Sequence, residues 1–188
     1  MQYTHKDIIE RCKEGNRQAQ FELYRLYSKA MYNTCIRMLK STEDAEDVLQ
    51  DSFVDVFTKL DSFKYQSSIG AWIKRVVINN CINFLRKRKI TFSEVEEERL
   101  IAAGTNYFTE DMEHPAAIDN LSIIKIKRGL SLLPDGYRVV FSLFLLDGYD
   151  HKEIAEILSI SESTSKTQYH RAKKKLREIL YNMEHANS

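Results

Sequence analysis

The sequence predicts an all-α protein: two small helical domains, an N-terminal helical bundle and a C-terminal helix-turn-helix domain, joined by an acidic linker. Three observations predict this class. Gly and Pro supply 6 and 2 of the 188 residues, about 4% together against ~12% in an average globular chain, which disfavours turn-rich sandwiches and barrels. Apolar residues recur at i, i+3, i+4 and i+7 through both ends of the chain, the signature of amphipathic helices. Between 91 and 120 that periodicity fails, and Gly104-Thr105-Asn106 and His114-Pro115 supply breakers. The expected organisation is therefore a domain over 1–90, a linker over 91–120 and a domain over 121–188. With 43% hydrophobic and 11% aromatic residues the chain can bury a core, which excludes wholesale disorder.

The same composition sets the compartment expected. Met1 to Asp7 show no basic stretch leading into an apolar one. The longest near-apolar run, Val139 to Leu146, is interrupted by Ser142 and is too short to cross a bilayer ~30 Å thick. Cys12, Cys35 and Cys81 are odd in number, widely spaced and without a C-x-x-C pair, so neither a disulfide framework nor a zinc site is expected. The five histidines are scattered and form no cluster with metal-ligand spacing. A cytoplasmic protein without membrane insertion, metal, cofactor or catalytic constellation is the expectation.

Charge is segregated, although 28 basic and 27 acidic residues leave a formal net of only +1. Ser41 to Phe57 carry six acids and no base, whereas Lys74 to Lys89 carry six bases and no acid. Thr91 to Asn120 hold eight acids against the single base Arg99, and Ser163 to Arg177 hold six bases and no acid. A whole-chain sum near zero hides alternating segments suited to partners of opposite sign.

Two helices are expected over most of 4–40, broken at Gly15-Asn16, the second burying Phe21, Leu23, Tyr24, Tyr27, Met31, Cys35 and Met38. Ser41 or Thr42 can cap a third helix whose first turn is acidic, the sign that the helix dipole favours. Its apolar stripe is Ala45, Val48, Leu49, Ser52, Phe53, Val56, Phe57 and Leu60, and the opposite face shows Asp44, Asp47, Gln50, Asp51, Val54 and Asp55. On its own that acidic face is ordinary solvated surface. A polar loop, Asp61 to Ser68, carries Phe63 and Tyr65, and Ser67 or Ser68 then caps a helix to about Lys89. Its inward side is Trp72, Ile73, Val76, Val77, Cys81, Phe84 and Leu85. Arg75, Asn79, Asn83 and Arg86 share another face at i, i+4, i+8 and i+11. Arg can meet phosphate or guanine, Asn an adenine edge, and loop aromatics an unstacked base. A merely polar outer face with a basic helix end explains the same residues equally well.

The C-terminal pattern is sharper. Leu130 to Pro134 end one helix and start another, which runs to Leu146 before Asp147-Gly148. Asp150 with Glu153 has the spacing of a capping box for a short helix with Ile154, Ala155 and Leu158 inward. Leu158 to Ser161 then form the tight turn of a helix-turn-helix, and Ser161 caps the last helix. Along that helix Ser165, Tyr169, Ala172, Leu176 and Ile179/Leu180 face the domain. Ser163, Lys166, Thr167, His170, Lys174 and Arg177 face away, on a helix that fits a major groove ~12 Å wide.

Together these residues resemble a bacterial sigma-70-family RNA polymerase sigma factor of the extracytoplasmic-function type. The N-terminal resemblance is carried by Asp44-Ala45-Glu46-Asp47-Val48-Leu49-Gln50-Asp51-Ser52-Phe53, then Phe63, then Trp72-Ile73 with Arg75-Val76 and Asn79. The C-terminal one is carried by Leu133-Pro134, Glu153-Ile154-Ala155, Ile160-Ser161 with Thr164 and Lys166, and His170-Arg171-Ala172-Lys173 with Lys175-Leu176. Between them they cover about 44–89 and 130–180; Ser165, Gln168 and Tyr169 depart from the residues usual there. The resemblance implies that Asp44, Asp47, Gln50, Asp51 and Val54 grip the clamp helices of the largest subunit of core RNA polymerase. It implies that Phe63, Tyr65, Arg75, Asn79, Asn83 and Arg86 recognise the −10 element of promoter DNA, with the Phe63–Ser68 loop holding a flipped base. It implies −35 recognition by Ser163, Lys166, Thr167, His170, Arg171 and Lys174, and an acidic linker threaded through the polymerase. An anti-sigma factor is the further partner it implies.

Overall fold

In a computed structural model the protein is described over residues 5–88, Ile90, Phe92 and 120–185. Every regular element among them is helical. The chain divides into two compact units, Met1–Lys89 and Ile90–Ser188. The linker expected over 91–120 lies outside the described residues except at Phe92 and Asn120.

In the first unit α1 spans Lys6–Lys13 and α2 spans Arg17–Leu39. The break falls at Gly15, whose φ of +80° is one that a side chain resists, and Asn16 restarts the helix by accepting from Ala19 N at 3.0 Å. One stripe of α2, with Ala19, Leu23, Met31, Cys35 and Met38, is buried. Phe21 is not with them: it is 62% exposed. Two residues before Leu23 means about 200° around a helix, so Phe21 must point away from the stripe that Leu23 defines.

Helix α3, Thr42–Lys59, is capped by Ser41 Oγ, which accepts from Asp44 N at 3.1 Å. Its stripe from Ala45 to Val56 is buried as expected, with Phe57 half-buried. A 3-10 turn, Leu60–Ser62, leads to the loop, and Ser68 caps α4, Ile69–Lys87. Helices α2, α3 and α4 pack on one another in all three pairings. Ile73, Val77, Ile78, Cys81, Ile82 and Leu85 bring α4 into this core, while Trp72, Val76 and Phe84 stay half-buried at its edge. Each fully buried Leu or Ile contributes about 1.5–3 kcal/mol to holding this bundle together. Gly70 permits the closest approach, because a Cβ there would lie 2.8 Å from Tyr27 Cε1.

The second unit contains α5, Asn120–Leu132, and α6, Asp135–Phe141, which runs on into a π-helical turn, Ser142–Leu146. Helix α7 spans His151–Leu158 and α8 spans Glu162–His185. Leu130, Leu133, Phe141, Ala172 and Leu176 form a core shared by α5, α6 and α8. Arg138, only 1% exposed, lies in this unit; its Nη1 donates to Asp135 Oδ1 at 2.6 Å and to the Leu133 carbonyl at 3.1 Å. Burial pulls the Arg138 guanidinium below its ordinary value, and the Asp135 carboxylate opposes that pull. Removing one partner of a buried pair strands the other charge. Asp135→Ala should therefore destabilise this unit by about 2 kcal/mol, below the ~3–5 kcal/mol of a fully buried pair because Asp135 is part-exposed. Arg138→Met leaves behind only the Asp135 carboxylate, which is part-exposed and stays hydrated, and should cost less; thermal unfolding of the two variants checks the order.

Candidate functional site

On the outer face of α3, Asp47, Gln50, Asp51 and Val54 are exposed, Val54 at 65%. Asp44 stands apart from them. Arg88, just beyond the end of α4, grips it with two hydrogen bonds of 2.9 Å and lies 4.5 Å over the Phe84 ring. Antiparallel packing brings the last turn of α4 to the first turn of α3, so the carboxylate expected on the open acidic face instead ties the two helices together.

An open groove of about 560 Å³ runs between α3 and α4, lined by Asp51, Val54, Asp55, Asn83 and Lys87 among others. It brings Asn83 beside the acidic face. Asn79 and Arg86 are exposed and Arg75 is half-buried along the same helix. Asn80, absent from the sequence reading, connects the helices: its Nδ2 donates to Ser52 Oγ at 3.2 Å and to Asp55 Oδ2 at 3.0 Å. That bond, with the Lys59 ammonium 3.0 Å away, holds the Asp55 carboxyl below its ordinary value. The adjacent Asn79-Asn80 pair was the available sequence signal, since neighbours on a helix point about 100° apart and only one can stay outside.

The loop differs from expectation at Phe63. Its side chain is buried, with ring centroids 5.6 Å from Trp72 and 4.8 Å from Tyr65. The Phe63 ring therefore packs inward and supports the loop from beneath. Tyr65 is half-exposed, in the left-handed region with φ +58°. Its hydroxyl donates to Glu10 of α1, and its ring lies 4.9 Å below Lys13 Nζ. Burial first, then the Glu10 carboxylate, pushes the phenol up to about 12.

The second unit presents a different surface. The capping box is complete: Glu153 N donates to Asp150 Oδ1 at 2.8 Å, and Asp150 N to Glu153 Oε2 at 2.9 Å. Ser159, with φ +57°, closes α7, and Ser161 Oγ accepts from Thr164 N at 2.9 Å to start α8. Ser163, Lys166, His170, Lys174 and Arg177 are exposed on α8, with Thr167 and Arg171 half-buried beside them. Lys166 is steadied by Glu162 at 2.7 Å. Inward lie Ser165, Ala172 and Leu176, together with Thr164 and Gln168, which the apolar pattern did not mark. Gln168 donates from Nε2 to the Phe92 carbonyl at 2.6 Å, and Phe92 is 5% exposed. Gln168 is thus an internal tie to the chain entering this unit, and no part of its outer face.

Between α7 and α8, His151 Nδ1 lies 2.9 Å from Ser165 Oγ, and its ring stacks on Phe144 of the π turn at 4.3 Å. Burial lowers its proton affinity, and the Lys166 charge adds to the effect. The folded unit therefore prefers neutral His151, while the unfolded chain takes up its proton nearer the ordinary value. Stability from this group is complete above the unfolded pKa and declines as pH falls through it towards the lowered folded value. Melting temperatures between about pH 7.5 and about pH 5.5 should drop on the acid side, less so in His151→Gln.

Among the described residues no three His, Cys, Asp or Glu side chains are grouped to hold a metal ion, and no helix is long and apolar enough to cross a membrane.

Comparison with known proteins places both units. Residues 23–90 match the family described as Sigma-70 region 2, and residues 123–176 match Sigma-70, region 4. The ECF RNA polymerase sigma factor SigM of Bacillus subtilis is 31% identical over 164 residues, covering 86% of this chain and 94% of that protein. SigW of the same organism is 29% identical over 184 residues, covering 96% and 98%. The sigma-E factor of Escherichia coli is 27% identical over 177 residues, covering 92% of each. Among solved structures, the sigma factor RpoE crystallised with the anti-sigma factor NepR from Bartonella quintana superposes with a TM-score of 0.57 at 24% identity, covering 85% of this chain and 95% of that one. CnrH, solved with the cytosolic domain of CnrY, gives 0.54 at 22% identity, covering 92% and 94%. With a region-2 bundle and a region-4 helix-turn-helix in that order, the chain belongs to the extracytoplasmic-function group of sigma-70-family RNA polymerase sigma factors.

Proposed function

We propose that this sigma factor divides its work between an acidic polymerase-binding face and two DNA-reading surfaces. Asp47, Gln50, Asp51 and Val54 dock on the clamp helices of the polymerase largest subunit, with Asp44 contributing only once Arg88 is displaced. Asn79, Asn83, Arg75, Arg86 and the loop around Tyr65 recognise the −10 element. Ser163, Lys166, Thr167, His170, Arg171 and Lys174 recognise the −35 element as intact duplex. The chain itself performs no catalysis and works in the cytoplasm, where the polymerase supplies the chemistry. An anti-sigma factor, of the kind crystallised with the RpoE relative, is its regulator.

The observation that carries this reading is the segregation of charge along exposed helix faces: carboxylates on the outer side of α3, and six bases with no acid over residues 163–177 of α8. Acidic segments repel phosphate, so the free protein should bind duplex weakly. Docking on polymerase fixes both DNA-reading surfaces at one spacing and raises the effective concentration of the second contact. Transcript-start mapping after overexpression tests it. Induced starts should share two upstream elements at a constant separation; starts with no common element would contradict the assignment.

A further inference from the structure

We propose that Glu10 and Lys13 of α1 are positioning residues for base recognition: they hold Tyr65, and through it the 61–68 loop, in its reading conformation before DNA arrives. This rests on the assignment of that loop to the −10 element and goes further, by giving a role to a helix outside the region-2 match, which begins at residue 23.

The loop has little regular structure of its own between the 3-10 turn and the start of α4. Phe63 anchors one side of it in the core against Trp72. Beyond Phe63 the backbone enters the left-handed region at Tyr65, which a residue with a Cβ adopts only when its surroundings impose it. Those surroundings come from 55 residues earlier in the chain. The Tyr65 hydroxyl donates to Glu10 Oε1, and the same oxygen accepts from Lys13 Nζ at 3.1 Å. Lys13 Nζ and Lys6 Nζ also sit 4.9 and 5.9 Å from the Tyr65 ring centroid, a distance at which a cation is drawn to an aromatic face. One carboxylate, two ammonium groups and one phenol thus converge on a strained loop position. Glu10 and Lys13 stand one turn apart on α1, and α1 also packs against the 3-10 turn that opens the loop. Fixing a loop beforehand removes the cost of ordering it when a single-stranded base docks. A loosened loop should therefore show itself in promoter opening and base selectivity, and not in attachment to polymerase.

The test uses full-length protein in holoenzyme at the promoter identified by start mapping. Glu10→Ala and Tyr65→Phe each remove the bond and keep the ring; Glu10→Gln keeps an acceptor; Tyr65→Ala removes the ring. Three quantities are read: permanganate reactivity of the −10 bases, the transcription ratio of the cognate promoter to one with a single −10 base changed, and affinity for core polymerase. Glu10→Ala and Tyr65→Phe should each lower opening and the base ratio about threefold, a modest figure suited to an exposed hydrogen bond. The double variant should be no worse than either single one, Glu10→Gln should recover most of the loss, and core affinity should stay unchanged. Wild-type opening and selectivity in Glu10→Ala, or additive losses in the double variant, would overturn the proposal. If Tyr65→Ala is also without effect, the loop is not the −10 reader and the underlying assignment fails; a defect in Tyr65→Ala alone defeats only the role of α1.

Discussion

Replacing Asp47 and Asp51 with lysine should abolish sigma-dependent transcription while leaving the protein folded. Both side chains are exposed on α3, one helical turn apart, and flank Gln50. Neither makes a hydrogen bond or ion pair among the described residues, so no internal contact is lost. Asp51 also lines the groove that holds Val54, an exposed valine with water on most of its surface. Carboxylates around a small apolar contact suit a basic partner, for which the charges select and orient while the valine adds area. Reversing two of them replaces attraction by repulsion, and truncating even one partner of a buried interfacial pair costs 2–5 kcal/mol or more. A loss of about 100-fold in core affinity is the expected result, with an unchanged melting temperature. Asp44→Lys makes the contrast: breaking the two 2.9 Å bonds to Arg88 should lower the melting temperature as well.

Reversing Lys166 and Lys174 to glutamate should spare core binding and remove promoter selection. Eight positions apart, they lie on the exposed side of α8. Lys166 already has a partner in Glu162, which orients it without neutralising the surface around it. Each phosphate contact carries a slope of about −0.9 in log affinity against log salt. Two lost contacts should flatten the salt dependence of holoenzyme binding by about 2 and weaken it at least tenfold near physiological salt. Lys175, which pairs with Glu178 at 3.2 Å, is the control; Lys175→Glu should have a smaller effect.

Helix positions and caps were legible because they depend on local chemistry. Asp150 and Ser161 start the helices expected of them, Ser41 and Ser68 are each the cap out of two candidates, and Asn16, legible only as part of a break, caps α2. The buried stripe of α3 was legible for the same reason, since period alone defines it. The misplaced residues depend on contacts between segments far apart. Phe63 looked like a loop aromatic free to stack, but Trp72 and the core of the bundle claim it. Asp44 looked like one more acid on a face until Arg88, 44 residues later, reached it. Gln168 was legible only as a departure from the residue usual there, whereas it is buried and donates to the Phe92 carbonyl. Polar residues at the seam between helices, Asn80 and Gln168 above all, carry no apolar period and so stay invisible to it. For the site, the exposed faces of α3 and α8 were readable; which of their members were already occupied was not.

Beneath its near-neutral total charge this protein should carry surfaces that act together only on polymerase. Core polymerase should be mixed with this protein on a plasmid carrying the mapped promoter, and specific transcripts counted beside duplex binding by the protein alone. Initiation at the mapped start that requires the protein, with weak duplex binding in its free form, is the predicted result. Tight promoter binding by the free protein, with core polymerase still initiating nowhere in particular, would contradict it.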